Sequence, residues 1–325
     1  MTVSLERMGK LLAELLPERG PVHGVSRFAD GSVTGAYLVE FADTRSAPVV
    51  LKIYAAENAW WATKEALALR FLTDHGIELS PRLLASSEAA EALDGRPCVV
   101  CAFLPGRTLE PISAELTPEQ RHEIYRQLGE ALKRLHSIPA NAYGYIDGEI
   151  CDPLPDNSAH MARLIERYLR DFRKHGADPA LADSIAGYVA EHASAFVECL
   201  RPAYCHGDVH EANLLVEVAE DGTCALTGLV DPQNMHAGDP LMDLVRLDAF
   251  SMFGDATKIA GLLTGYGVRE SGRRPGAWPE SWGARIRLYR IALCIELYNW
   301  FTSISRADYA ADQERLLREL VMDGV

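Results

Sequence analysis

Positive charge is scarce in this sequence. Only 32 Lys and Arg stand against 46 Asp and Glu in 325 residues, giving a formal net charge of −14. No Lys/Arg-rich run appears, which argues against a nucleic-acid partner. An acidic surface suits a cationic ligand, although solubility alone would also account for it. Long apolar runs are absent too. None reaches the ~18 residues that span a bilayer, and no signal peptide opens the chain, so no membrane association is expected. Instead, Ser4 can cap a helix carrying Met8, Leu11, Leu12, Leu15 and Leu16 at helical spacing. Cysteine is odd in number, at seven. Cys98 and Cys101 form a single CxxC, with no second pair and no spaced histidines to complete a metal site. They sit in an apolar, strand-like run, so buried thiols in a reducing cytoplasm are expected. Internal repeats and low-complexity tracts are also missing.

About half of the residues are hydrophobic, enough for one large core or two adjoining ones. After the first helix, residues 24–28, 36–41 and 48–54 read as short strands, and 58–75 as a helix. Residues 81–86 and 96–104 are extended again. This makes a small α+β lobe, residues 1–104. Pro105-Gly106 is a turn signal and marks its end. Beyond it, residues 105–325 are mainly helical. Thr117-Pro118-Glu119-Gln120 is a helix start, and that helix stops before Pro139. A Gly/Asp/Pro-rich loop is expected over 143–157. Helices follow at 159–174, 178–199, 241–253, 285–305 and 308–322.

Residues 201–231 interrupt this helical pattern and carry the chemistry. His206-Gly207-Asp208-Val209-His210-Glu211-Ala212-Asn213 is a compact polar loop leading into the apolar strand 214–218. Phosphoryl transfer needs a carboxylate to receive or orient a hydroxyl proton, and a ligand for the metal that neutralises the phosphates. Asp208 and Asn213, five apart, suit those roles. Asp231 ends a second apolar strand beside this loop, where a carboxylate is placed to bind magnesium. Gly238-Asp239-Pro240 and Asp243 then open a helix.

The order and spacing of HGDxHxxN, a strand-ending Asp and GDPxxD resemble the aminoglycoside phosphotransferase family, which also includes choline, homoserine and other small-molecule kinases. The resemblance is nearest to the hygromycin-type antibiotic phosphotransferases. It implies a protein-kinase-like two-lobed α+β fold with a β-rich N-lobe and a helical C-lobe. It implies Asp208 as catalytic base, Asn213 and Asp231 as magnesium ligands, and Asp239 as a bracing acid. Lys52, in an apolar strand where an unpaired lysine is expensive, matches the lysine that grips nucleotide phosphates. Glu65 matches its helix partner, with Glu57 the other candidate. Ser32 and Thr34 lie in a turn that can cover phosphate. Cys101, Ala102 and Leu104 lie at the hinge that reads the base of ATP or GTP.

The acceptor site is read more coarsely. An acidic pocket drawn from Asp147, Glu149, Asp152, Asp156, Glu211 and Glu296 is expected for an aminoglycoside-like substrate. Tyr289, Tyr298, Trp300 and Phe301 are expected to be helix core rather than a ligand platform. The resulting expectation is a cytoplasmic, monomeric or dimeric kinase of a small-molecule hydroxyl, an antibiotic of aminoglycoside, aminocyclitol or nucleoside type. The alternatives are a metabolic kinase for a sugar, amino alcohol or amino acid, and a catalytically inactive kinase-fold binding protein. The intact set Lys52, Glu65, Asp208, Asn213 and Asp231 counts against inactivity.

Overall fold

The computed structural model describes residues 3–28, 34–269 and 276–322. The first elements are α1 (Leu5–Leu15), β1 (Val22–Arg27), β2 (Thr34–Phe41), β3 (Val49–Tyr54), α2 (Ala59–Asp74), β4 (Leu83–Ala90) and β5 (Arg96–Ala102). The strands form one antiparallel sheet in the order β1-β2-β3-β5-β4. Helices lie on both faces. Met8, Leu11 and Leu12 of α1 share a core with Val49, Leu51, Ile53, Cys98 and Val100. Ala62, Ala66 and Leu69 of α2 share another with Tyr54, Val99 and Cys101. The period-2 alternation of a strand explains the division. It also turns Cys98 and Cys101, three apart, to opposite faces, so the CxxC is neither a disulfide nor a metal clip.

The chain then crosses through β6 (Arg107–Thr108), which pairs with a strand of a second sheet, into α3 (Pro118–His136). Thr117 and Gln120 form a reciprocal capping box at the start of α3. Next come β7 (Tyr143–Asp147), β8 (Glu149–Leu154), α4 (Asn157–Lys174), α5 (Pro179–His192) and β9 (Ala203–Cys205). β10 (Leu214–Val218), β11 (Cys224–Leu229), β12 (His236–Gly238), α6 (Leu241–Leu247), α7 (Ala256–Tyr266), α8 (Gly283–Ser303) and α9 (Ala307–Met322) complete the chain. Two small sheets, β11-β10-β6 and β8-β7-β12-β9, carry the polar loops. α8 is buried along most of its length among the other helices. The fold is thus the two-lobed kinase type, with a β-rich first lobe and a helix-rich second.

Four local expectations are corrected. Residues 143–154 are not a loop but the hairpin β7–β8. The helix expected over 178–199 ends at His192 and continues only as a 3₁₀ turn, while that expected over 241–253 gives way to a π-turn after Leu247. Finally, α7 lies where no helix was expected. It packs on α3 so closely that a β-carbon on Gly265 would sit 1.8 Å from the Arg126 carbonyl oxygen, and one on Gly261 would sit 2.3 Å from that of His122. No membrane-length apolar helix occurs among the described residues.

Candidate active site

The strand alternation that buries Val50 and Tyr54 under α2 sends Lys52 the same way. There its ammonium meets Glu65 Oε1 of α2 at 2.5 Å and also pairs with Asp231, reaching from one lobe to the other. The buried Tyr54 hydroxyl donates to the other Glu65 oxygen. Glu65 is only 2% exposed, so its charge requires these partners. Burial pushes the Lys52 ammonium down, but Asp231 and Glu65 more than reverse this and keep it a cation. Burial pushes the Glu65 carboxyl up, with Lys52 pulling against it. The Cys101 thiol lies within the same charged neighbourhood. Burial pushes it up to about 12, with Lys52 opposing.

At the hinge, the Ala102 amide already donates to the Arg82 carbonyl at 2.9 Å. Base reading by Ala102 is therefore limited to its carbonyl. Leu104 packs toward β11, where a β-carbon on Gly228 would sit 2.9 Å from its Cδ1. Thr227 Oγ1 donates to the Pro105 carbonyl at 2.6 Å and ties the hinge to the second lobe. Thr34 opens β2 opposite Tyr54. Ser32 lies outside the described residues. Glu57 sits in a 3₁₀ turn before α2 and is exposed, while Glu65 holds Lys52.

The polar loop is held by Asp243. Its two carboxylate oxygens accept from the His206 and Gly207 amides at 2.7 and 2.8 Å, and His136 Nε2 lies 3.0 Å from one of them. Burial pushes the Asp243 carboxyl up, but His136, His236 and His206 reverse this and hold it well below the usual carboxylate range. Gly207 has φ +80°, and a β-carbon there would lie 2.1 Å from the Asn234 carbonyl oxygen. Asp239 is 2% exposed and accepts from Arg285 at 2.8 Å and the Tyr289 hydroxyl at 2.7 Å. It braces α8 against the loop before α6.

Asp208 projects from this frame. Its carboxylate lies 3.5 Å from Arg246, 3.6 Å from His210 and 3.4 Å from the Asn234 amide. Burial pushes its pKa up, yet the His210 hydrogen bond and the charges of Arg246, His210 and His206 hold it below the ordinary value. It is therefore an anion at neutral pH. The Asn213 amide nitrogen donates to the Asp208 carbonyl at 2.9 Å, and the Val230 amide donates to the Asn213 carbonyl at 2.9 Å. Pairing of β10 with β11 thus sets Asn213 beside Asp231. Asp231 has φ +64°, a left-handed conformation uncommon for a non-glycine residue. Lys52, Asp208, Asn213 and Asp231 form one continuous constellation.

The six acids expected at the acceptor site are not brought together. Asp147, Glu149, Asp152 and Asp156 are exposed along or just after the β7–β8 hairpin. Asp156 caps α4, accepting from the Ala159 amide at 2.8 Å. Glu211 is buried and accepts from Ser113, Tyr125 and Lys258 at 2.7, 2.8 and 2.8 Å, anchoring the loop rather than facing a ligand. Only Glu296 lines the pocket next to Asp208, and both its oxygens bond Arg246 at 2.9 and 3.0 Å. The physical reason is position. Loop acids of a twisted hairpin point to water unless something pairs them, and Glu211 found its partner in the core.

That pocket, about 100 Å³, lies between the lobes' facing elements. His160, Leu164 and Tyr168 face it from α4, and Tyr289, Ala292, Leu293 and Glu296 from α8, both at helical spacing. Lys64 of α2, Tyr145 of β7 and His236 of β12 complete it. Tyr289 is therefore both core and pocket wall, whereas Tyr298 packs on Phe172 and Trp300 is exposed. Sequence reading missed Lys64, His160, Tyr168 and Arg246. The i, i+8 spacing of His160 and Tyr168 on one face of α4 hints at those two, while Lys64 and Arg246 lie on α2 and α6, outside that pattern.

A kinase-type lysine–glutamate pair joined to an HGD loop and a strand-ending aspartate defines a phosphotransferase. The chain belongs to the phosphotransferase enzyme family, whose sequence profile matches residues 24–279. It is similar in fold to a thermostable mutant of aminoglycoside phosphotransferase APH(4)-Ia, solved as a ternary complex with ADP and hygromycin B, with a TM-score of 0.70 at 15% identity over 98% of each chain. It is also similar to wild-type aminoglycoside 2'-phosphotransferase-IIIa, solved as its GDP complex, with a TM-score of 0.68 at 16% identity over 99% of this chain and 100% of that one.

Proposed function

We propose that this chain transfers the γ-phosphoryl group of ATP or GTP to a hydroxyl of a small polar molecule in the cytoplasm, with an antibiotic as the acceptor. Residues 1–104 form the nucleotide lobe in this reading, and 105–325 the catalytic and acceptor lobe. The observation that carries it is the joined constellation of Lys52, Asp208, Asn213 and Asp231. Asp208, ionised and half-shielded, receives the acceptor's hydroxyl proton late in the transfer. The acceptor oxygen bonds the γ-phosphorus as the bond to the β–γ bridging oxygen breaks, and the nucleoside diphosphate leaves with that electron pair. Lys52 grips the donor's phosphates, and Glu65 holds Lys52 in place.

Magnesium fits the donor set. Asn213 directs its amide nitrogen to the Asp208 carbonyl, which leaves its side-chain oxygen to bind, and Asp231 supplies carboxylate oxygens. These are the hard oxygen ligands that Mg²⁺ takes, few in number. Bound there, magnesium would neutralise phosphate charge. The expected result for Asp231→Ala is a fall in kcat of about 10³-fold or more, the order for loss of transition-state charge stabilisation. Magnesium-nucleotide binding should weaken with it. Unchanged turnover and binding in steady-state and titration assays would overturn the metal assignment.

The acceptor class draws support from the antibiotic-bound fold relative. A second reading, a metabolic kinase, is favoured by one observation: the two carboxylates lining the pocket beside Asp208 are already bonded, Glu296 to Arg246 and Asp243 to the loop amides and His136.

A further inference from the structure

The pocket beside Asp208 is less acidic than the molecule as a whole, with Lys64 and Arg246 lining it together with Asp243 and Glu296. The chain carries a formal −14. Yet Lys64 of α2 lines the pocket with no carboxylate in ion-pair reach among the described residues. Its ammonium lies 5.9 Å from the centre of the Tyr145 ring and 5.8 Å from that of Trp60. Arg167 of α4 converges on the same Tyr145. Its guanidinium sits 4.9 Å from the ring centre and donates to the tyrosine hydroxyl, and it also covers Tyr168 at 5.3 Å. Arg167, too, has no carboxylate in ion-pair reach among the described residues. Two cations thus converge on one exposed tyrosine of the pocket lining, Lys64 from the lining itself and Arg167 through Tyr145 and Tyr168.

The remaining charges are accounted for. Arg246 is matched by Glu296 and Asp208. Asp243 is bonded to the loop amides and to His136. Burial pushes the Lys64 ammonium down, and Asp147, on β7, opposes this without an ion pair. One neighbouring group registers the nearby positive charge. His160, 5% exposed on the pocket wall, is held down to about 4 by burial and then by His236, Arg167 and Arg163. The buried His236 lines the same pocket, and its Nε2 has no hydrogen-bond partner. A cation in a cleft without a carboxylate partner is available to an anionic ligand. Such groups in a cleft mark binding sites.

We infer that the acceptor, drug or metabolite alike, carries an anionic group near the hydroxyl that is phosphorylated, and that Lys64 and Arg167 bind this group. The ligand is thus a hydroxy acid rather than a polyamine. Tyr145 and Tyr168 supply the flat wall against which it lies, and Asp208 receives its hydroxyl proton. The inference rests on the phosphotransferase reading and narrows its substrate.

The experiment uses the full chain with magnesium-ATP or magnesium-GTP and paired acceptors. Glycerate and gluconate are each set beside the uncharged amide, and hygromycin B and kanamycin complete the panel. The acid should be preferred over its amide in kcat/KM by about 10-fold or more, the order for a charge-assisted hydrogen bond. Lys64→Met and Arg167→Met should each raise KM for the acid roughly 10- to 100-fold. They should leave KM for the amide and for the nucleotide unchanged, and Lys64→Arg should keep the preference. Phosphorylation of the antibiotics or amides but not of the acids would overturn the inference while the kinase reading stands. So would a Lys64→Met variant whose nucleotide KM rises, since Lys64 would then hold donor phosphate. A panel with no acceptor, in a protein whose nucleotide binding still depends on Lys52 and Asp231, also overturns the inference alone. Nucleotide binding indifferent to Lys52 and Asp231 overturns the phosphotransferase reading itself.

Discussion

Asp208 and Asp243 are both ionised, acidic side chains near one loop, and their surroundings give them different work. Asp208 is partly exposed at the pocket and its neighbours are long-range: 3.5 Å to Arg246 and 3.6 Å to His210. Such contacts leave a lone pair for a substrate hydroxyl. Replacing Asp208 with Asn should cut kcat by roughly 10²- to 10⁴-fold, the usual worth of general-base catalysis. KM for nucleotide should stay where it was, because Asp208 binds no phosphate in the ground state. A loss explained wholly by weaker nucleotide binding would contradict that role. Asp243 is sealed in and holds the loop amides. Its folded pKa lies below the ~3.9 of an unfolded aspartate. Its contribution is therefore complete above about pH 4 and is lost as pH falls below that value. Asp243→Asn should destabilise the fold by about 3 kcal/mol at pH 7. In denaturant titrations the gap from the parent protein should narrow toward pH 3. A gap that widens there would show that the acid is not held as an anion.

At the scale of elements, helices and strands were legible in the sequence wherever one element's own pattern specified it. The capping box of α3, the apolar stripe of α1 and the β3 alternation that turns Lys52 toward α2 are all local. α7 was not legible. Its glycines at 261 and 265 lower helix propensity, and they are there because α3 passes too close for a side chain. The β7–β8 hairpin was hidden in the same way by Gly144, Gly148, Pro153 and Pro155, which read as loop. This account predicts a contrast between two helical glycines. Gly265→Ala should destabilise by about 1–3 kcal/mol or more through overpacking against Arg126. Gly187→Ala, in the exposed middle of α5 with nothing within 4 Å, should be neutral or stabilise by up to about 1 kcal/mol. Urea midpoints of the two variants check this. Equal shifts would remove the close-packing explanation for α7.

At the scale of the molecule, the clustering of Lys52, Asp208, Asn213 and Asp231 was readable and the pocket beside Asp208 was not. His206 to Asn213 is one short segment, and Asp231 follows it on the paired strand, so their chemistry survives as spacing. The pocket is assembled from α2, α4, α6, α8, β7 and β12, whose pocket residues span positions 64 to 296. Acids clustered in sequence at 147–156 were taken for its wall, but a cluster in sequence is not a cluster in space. The residue beside Glu65, Lys64, turned out to face it instead. The lobes meet at the Lys52–Asp231 ion pair, the place where the proposed reaction would bring nucleotide phosphate and acceptor hydroxyl together. The most direct test of this arrangement is to follow the γ-phosphate itself, by phosphorus NMR of the products with labelled nucleotide. The account predicts that the label appears as a phosphate ester on an acceptor hydroxyl, in a reaction that needs both Asp208 and Asp231. Label found only as inorganic phosphate, at the same rate with and without any acceptor, would contradict it.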